Sequence, residues 1–294
     1  MRYLDGVALA KLRNLSLRLR RASAEGHLTG RHRSAAKGLS HEFAQHRAYV
    51  PGDEVRALDW KVFARQDRFY VREYQSENIL SCAVLLDASG SMGFAGDGRP
   101  AKWEHACRLA MALSYLVLSG GDAVGLATFD TGPRESVPPR TTFGQLEVLD
   151  ALLARCGPGG ETDLAAALQA GAGRIRRRSL VVLISDLLGD AASVLRVVKA
   201  LQARRHEVMV LQVLDPAERD LPFAGPTVFV GLEDGRELYC DAGVLQGAYR
   251  GAFQKQQRLY ESGFHGAAVS YRSFFTDRPW EEGLARLLSR GQGA

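Results

Sequence analysis

Short apolar runs, each ended by a polar turn, alternate along this chain with stretches in which apolar residues recur every three or four positions. Ile79 to Leu86 carries no charge, the composition of a strand buried on both faces of a parallel sheet. Ala123 to Phe129, Leu180 to Ile184, Glu207 to Leu214 and Ala267 to Tyr271 read as further strands. Between them, helical spacing marks Trp103/Ala106/Cys107/Ala110/Leu113/Val117, Leu146/Leu149/Leu153, Leu164/Leu168, Val194/Val197/Val198/Leu201, Tyr249 to Tyr260 and Trp280/Leu284/Leu288. Strand alternating with helix predicts an α/β, Rossmann-like fold: a mostly parallel sheet with right-handed crossovers and flanking helices. Phe223 to Cys240, with Gly-Pro and Asp-Gly turns, reads as an irregular β excursion.

The first quarter is different. Leu4, Ala8, Leu12, Leu15 and Leu19 form an apolar stripe on a helix that also bears Lys11, Arg13, Arg18, Arg20 and Arg21. Such a helix is expected to dock on its own domain with the basic face in water. Gly26 to Gly38 reads as a loop. Leu58 to Phe63 and Phe69 to Tyr74, joined across Gln66-Asp67, predict a β-hairpin. Alternating acids and arginines there (Asp53/Arg56, Asp59/Arg65, Arg72/Glu73) predict a structural ion-pair network. The organisation is therefore residues 1–40, a basic helix and loop; 41–78, a segment containing the hairpin; and 79–294, the main α/β domain.

Charge sharpens this division. Residues 1–78 hold 15 Lys and Arg against 9 Asp and Glu, a net +6, and the remainder 23 against 24, a net −1, so the basicity of the chain belongs to the N-terminal quarter. That basic arm lacks interleaved aromatics, so nucleic acid is not an expected partner. The longest uncharged window, Leu109 to Gly121, is 13 residues, too short to cross a bilayer. Asp5, Lys11 and Arg13 interrupt any apolar signal core. A cytoplasmic protein with no transmembrane segment is expected. Cys82, Cys107, Cys156 and Cys240 are widely spaced and read as reduced thiols.

The candidate chemistry lies where the first buried strand ends. Asp87, Ser89 and Ser91 place three hard oxygens on one short turn, at the sheet edge where α/β folds bind ligands. With no His or Cys nearby, the donor set suits Mg²⁺ or Mn²⁺ rather than zinc. A second apolar run ends at Asp186. Between the two strands, the loop Gly157 to Asp163 brings the hydroxyl of Thr162 to a helix start.

The set Asp87-x-Ser89-x-Ser91, Thr162 and Asp186 resembles the metal-ion-dependent adhesion site of von Willebrand factor type A domains. The resemblance implies that Asp87, Ser89, Ser91, Thr162 and Asp186 hold a divalent cation, the aspartates directly or through water. It also implies that an open position takes an acidic residue of a partner protein, and that a small antiparallel strand falls near Ser136-Val137. Upstream, Glu42-Phe43, Arg47-x-Tyr49-x-Pro51-Gly52-Asp53-x-x-Arg56, Asp59-Trp60 and Ala64-Arg65 follow one another through to Tyr74 and Glu77. This order closely resembles the signature of the bacterial family catalogued as domain of unknown function 58. By that resemblance the chain is expected to be a non-enzymatic interaction module working with a MoxR-type AAA+ ATPase in assembly or maturation of other complexes. The competing expectation is a Mg²⁺-dependent phosphohydrolase with Asp87 as nucleophile. That chemistry typically wants a second acid two residues on, where this chain has Ser89. No G-x-x-x-x-G-K-[ST] loop is present, so any ATP hydrolysis falls to a partner.

Overall fold

A computed structural model describes residues 1–4, 6–12, 42–51, 58–75, 79–173, 175–176 and 178–290. The chain divides into two compact units, one formed by Met1–Arg21 with Leu80–Ala294 and the other by Ala22–Ile79.

The larger unit opens with α1 (Gly6–Leu12). It then runs β3 (Ser81–Asp87), a 3₁₀ turn (Gly90–Gly93), α3 (Lys102–Ser119), β4 (Ala123–Phe129), β5 (Pro133–Arg140), α4 (Gln145–Arg155), α5 (Leu164–Ala172), β6 (Leu180–Ser185) and α6 (Ala191–Ala203). It continues through β7 (Glu207–Leu214), α7 (Pro216–Asp220), β8 (Pro226–Val230), β9 (Glu237–Asp241), α8 (Ala242–Gly266), β10 (Ser270–Phe275) and α9 (Trp280–Arg290). Among the described residues, six strands form one sheet in the order β10-β7-β6-β3-β4-β5. All neighbours are parallel except β5, which runs antiparallel to β4 along one edge. The chain leaves β3 toward β4 and β5, then returns to place β6 on the other side of β3. The crevice between β3 and β6 is thus the topological switch point, the usual ligand position in such sheets.

The strands read as uninterrupted apolar runs because both faces are covered. Cys82, Val84 and Leu86 of β3 and Val182 and Ile184 of β6 join one core with helices α1, α3, α4 and α9. Leu85, Val181 and Leu183 point the other way, into a core with α5, α6 and α8. Leu86 and Val182 have no exposed surface, and burial of each such side chain contributes roughly 1.5–3 kcal/mol. The N-terminal helix docks as expected: Leu4 and Leu12 are buried in the first core. The rest of its stripe, Leu15 and Leu19, lies outside the described residues, as does the loop Gly26 to Gly38. Cys82 and Cys107 are buried, and the four cysteines are free among the described residues.

His105, on α3, is a buried polar group whose Nε2 has no hydrogen-bond partner among the described residues. Burial, helped by the nearby Arg108 charge and opposed by Glu281, Asp277 and Glu104, lowers its pKa from 6.5 to about 4. A folded-state pKa below the unfolded one means the unfolded chain takes up the proton first, so stability is lost as pH falls from about 6.5 to about 4. The loss from this one group is about 3 kcal/mol at the acid end. His105→Gln, followed by urea unfolding across that range, is expected to flatten the slope.

In the smaller unit, β1 (Glu42–Ala48) pairs antiparallel with β2 (Tyr70–Gln75), and α2 (Trp60–Gln66) lies between them in sequence. The hairpin expected from Leu58–Phe63 and Phe69–Tyr74 is not formed. Asp59 takes the N-cap position and accepts from the Lys61 and Val62 amides at 3.0 and 3.3 Å. Asp67, in the left-handed region at φ 52°, closes the helix onto the Phe63 carbonyl. Those caps override the strand preference of Trp60, Val62 and Phe63, whose aromatic and branched character had indicated β structure. Phe63 instead stacks on Phe69 with ring centroids 4.4 Å apart. The side chains of the Asp53/Arg56 and Arg72/Glu73 pairs lie outside the described residues.

Three other segments differ from expectation. The Phe223–Cys240 excursion is an ordered antiparallel pair, β8 with β9, in register from Pro226 opposite Asp241 to Val230 opposite Glu237. The following helix runs 25 residues rather than the span Tyr249–Tyr260. Asp241 caps it, and Gly243, Gly247 and Gly251 had blurred its periodicity. The last strand begins at Ser270 rather than Ala267, because Ala267 and Ala268 still finish the helix, Ala268 at φ 52°.

Candidate metal site

Parallel pairing fixes the depth at which the two acid-ended strands stop. Leu86 lies opposite Ile184, so Asp87 and Ser185–Asp186 emerge together at the carboxyl edge of the sheet. Asp87 is fully buried. One of its carboxylate oxygens accepts the Ser89 amide at 2.9 Å and the other accepts the Ser185 hydroxyl at 2.6 Å. Ser185 in turn accepts the Leu187 amide at 2.9 Å. Burial first, then the charge on Asp186, lifts the Asp87 pKa from 3.8 to about 6. An acid held in this way stores electrostatic cost that a cation would relieve.

Ser89 stands at the N-cap of the 3₁₀ turn, yet among the described residues its side chain makes no capping hydrogen bond. Its Oγ instead lies 3.1 Å from Oγ of Ser91, both hydroxyls buried. Capping therefore does not account for either serine. Adjacent oxygens around a six-coordinate Mg²⁺, at 2.0–2.1 Å from the ion, sit about 3.0 Å apart, close to the separation of this pair. Among the described residues no group of three or more His, Cys, Asp or Glu is placed to hold a metal. Any ion here must rely on hydroxyls and water beside one or two carboxylates, which is a hard-cation donor set.

The intervening loop is tied to the serine turn by backbone. Gly159 donates to the Ala88 carbonyl and Gly90 donates to the Gly160 carbonyl, each at 2.9 Å. Thr162, two residues beyond Gly160, is thereby drawn to the same edge. Its neighbour Asp163 caps α5 through the Ala166 amide. Thr162 itself turns to a partner the sequence did not announce: its amide and its hydroxyl each donate, at 3.0 Å, to the carboxylate of Glu233 on the β8–β9 turn. The same turn presses on Gly90, where an added Cβ would fall 2.3 Å from the Leu232 carbonyl oxygen and 3.1 Å from that of Gly160. Glycine is needed at position 90 for space.

Asp186 is buried and accepts the Leu188 amide at 3.2 Å. Its second oxygen accepts Nζ of Lys102 at 2.7 Å, and the same ammonium donates to Glu218 at 2.5 Å. Burial pushes the Lys102 ammonium toward neutrality, but the two carboxylates outweigh it and leave its pKa raised. Glu218 also accepts the Asp215 amide in the capping box of α7. Asp215 holds Arg99 through two bonds of 3.0 Å.

All five expected residues therefore reach one sheet edge, with the serine hydroxyls in direct contact and Thr162 engaged by Glu233. Ser185, Lys102, Glu218 and Glu233 were missed. Ser185 and Lys102 had legible signals: a hydroxyl beside the strand-end acid, and a lysine in register with the apolar face at His105, Ala106 and Leu109.

A family model described as protein of unknown function DUF58 matches residues 45–262. The chain belongs to the DUF58 family. This DUF58 protein is 32% identical over 296 residues to an uncharacterized protein of Mycobacterium tuberculosis, covering 99% of this chain and 92% of the relative. It is 29% identical over 82 residues to the uncharacterized protein YeaD of Bacillus subtilis, 28% of this chain and 18% of that one. Among solved structures, the conserved hypothetical protein BatB from Bacteroides thetaiotaomicron superposes with a TM-score of 0.50 at 16% identity, over 73% of this chain and 100% of that chain. The VWA domain of SpRpn10 gives 0.43 at 11% identity, over 72% and 95%. The fold of this DUF58 protein is von Willebrand factor type A-like. No helix among the described residues is long and apolar enough to cross a membrane.

Proposed function

We propose that this DUF58 protein captures an acidic residue of a partner protein through a bound Mg²⁺ or Mn²⁺. Asp87, Ser89, Ser91, Thr162 and Asp186 would hold the ion, directly or through water. The observation that carries the reading is the buried pair of serine hydroxyls 3.1 Å apart beside Asp87, a geometry that capping leaves unexplained. Charge supports it. Asp87 and Asp186 would be the only charged members of the donor set, and Asp186 already shares its charge with Lys102, so a divalent ion held otherwise by neutral hydroxyls would keep much of its attraction for an external carboxylate. The bound ion supplies that attraction; the protein supplies its position. By resemblance, the partner is a MoxR-type AAA+ ATPase, and the process is assembly or maturation of other complexes. A cytoplasmic setting goes with that reading. Asp87 as a phosphohydrolase nucleophile gains no support, because both of its oxygens are buried and hydrogen-bonded.

The test is calorimetric titration of Mn²⁺ into the wild type and into the double variant Ser89→Ala/Ser91→Ala. One saturable site is expected in the wild type and none in the variant. Equal binding by both would remove the site. Capture of the ATPase is expected to be lost with a chelator.

A further inference from the structure

We infer that Glu233 is an internal ligand: the chain's own carboxylate stands where a partner's acid is to bind, and the β8–β9 hairpin must lift for that acid to enter. This rests on the metal-dependent reading above and adds how the site is guarded and what shape of acid it accepts.

Glu233 is held as a bound guest would be. Its two oxygens are each met by a donor from Thr162, one main-chain and one hydroxyl, so a candidate metal-holding residue is already committed to a carboxylate. The contact is not an isolated surface bond. The preceding Leu232 carbonyl packs against Gly90, between Ser89 and Ser91, closely enough to forbid a side chain there. The hairpin tip therefore covers the serine turn and the Thr162 loop together.

The hairpin is also built to move. β8 and β9 pair only with each other among the described residues and add nothing to the main sheet. A two-stranded hairpin alone is marginally stable. Val228, Val230, Leu238 and Tyr239 are all exposed on it, so little apolar burial holds it down. The turn is internally complete, with Gly231 donating to the Arg236 carbonyl and Gly235 to that of Gly231, and Asp234 accepting the Arg236 amide. It can leave as a unit, with Glu233 as its latch. The guest it imitates is a glutamate on a tight turn.

An internal ligand reduces the apparent affinity for an external one by the fraction of time the site is open. The test uses a fluorescein-labelled peptide with the sequence of residues 229–238, the full-length chain, and saturating Mg²⁺. Glu233→Gln and Glu233→Ala chains are expected to bind it about tenfold more tightly than the wild type, and a peptide carrying Gln for the Glu233 equivalent is expected not to bind. Hydrogen exchange without metal gives a second readout. In both variants the Thr162 amide and the backbone of residues 231–236 are expected to exchange faster than in the wild type. Equal peptide affinity in variants and wild type, absence of peptide binding by all three chains, or unchanged exchange overturns the inference. Failure of the wild type to take up Mn²⁺ would instead remove the metal reading, and the two failures are thereby distinguishable.

Discussion

Lys102→Met is expected to lower the stability of the metal-free protein by about 3–5 kcal/mol, the range seen when one partner of a buried ion pair is removed. Lys102 has no exposed surface, and its ammonium is shared between Asp186 at 2.7 Å and Glu218 at 2.5 Å. It also stands in the first turn of α3, where the helix dipole disfavours a cation. Its placement there makes sense only through the two acids. Methionine matches the aliphatic stem but leaves the buried Asp186 and the part-buried Glu218 without a counter-charge. Urea unfolding in chelator measures the loss. Adding Asp186→Asn and Glu218→Gln to Lys102→Met should recover much of it, since the penalty lies in the stranded charges rather than in packing. A neutral single substitution would show that the ammonium is not balancing these acids.

Asp87→Asn is expected to act in the opposite direction. The folded-state pKa of Asp87, about 6, lies above the ordinary 3.8. The native state therefore holds the proton more tightly, and stability from this group declines as pH rises through about 4 to 6. The ionised carboxylate costs about 3 kcal/mol at neutral pH in the absence of a cation. Asparagine keeps the Ser89 bond through its carbonyl, and its amide donates to Ser185 in the reverse sense, the Ser185 hydroxyl turning its own proton away from position 87. In chelator at neutral pH the variant should be the more stable protein, by up to about 3 kcal/mol, with a flatter pH profile. Added Mn²⁺ should stabilise the wild type and leave the variant unchanged. A variant less stable than wild type in chelator would make Asp87 a structural group. Stability given up at one residue and regained only with a ligand is the expected mark of a binding site.

Strand-end residues were the easiest to read in the sequence. A parallel strand covered on both faces cannot tolerate charge, so the first acid after each uncharged run marks the sheet edge, and Asp87 and Asp186 announce themselves. Ser89, Ser91 and Thr162 followed from spacing and from resemblance to a known constellation. Glu233 could not be found in this way. It is 71 residues from Thr162, on a turn whose Glu-Asp-Gly composition is that of any solvated hairpin tip. Only the path of the chain brings it home. Leu58 to Phe63 shows the reverse difficulty, because side chains that favour strands were overruled by two aspartates at the ends of one short helix.

The antiparallel strand β5 has a bearing on how this molecule meets others. Pro133, Pro138 and Pro139 lack the amide that a docking strand would need, and Arg134, Glu135 and Arg140 surround them with charge. That margin resists recruitment of foreign backbone and the aggregation that follows from it. Recognition at this side of the molecule is left to loops and side chains, so a visitor can be gripped and released without the sheet ever being extended.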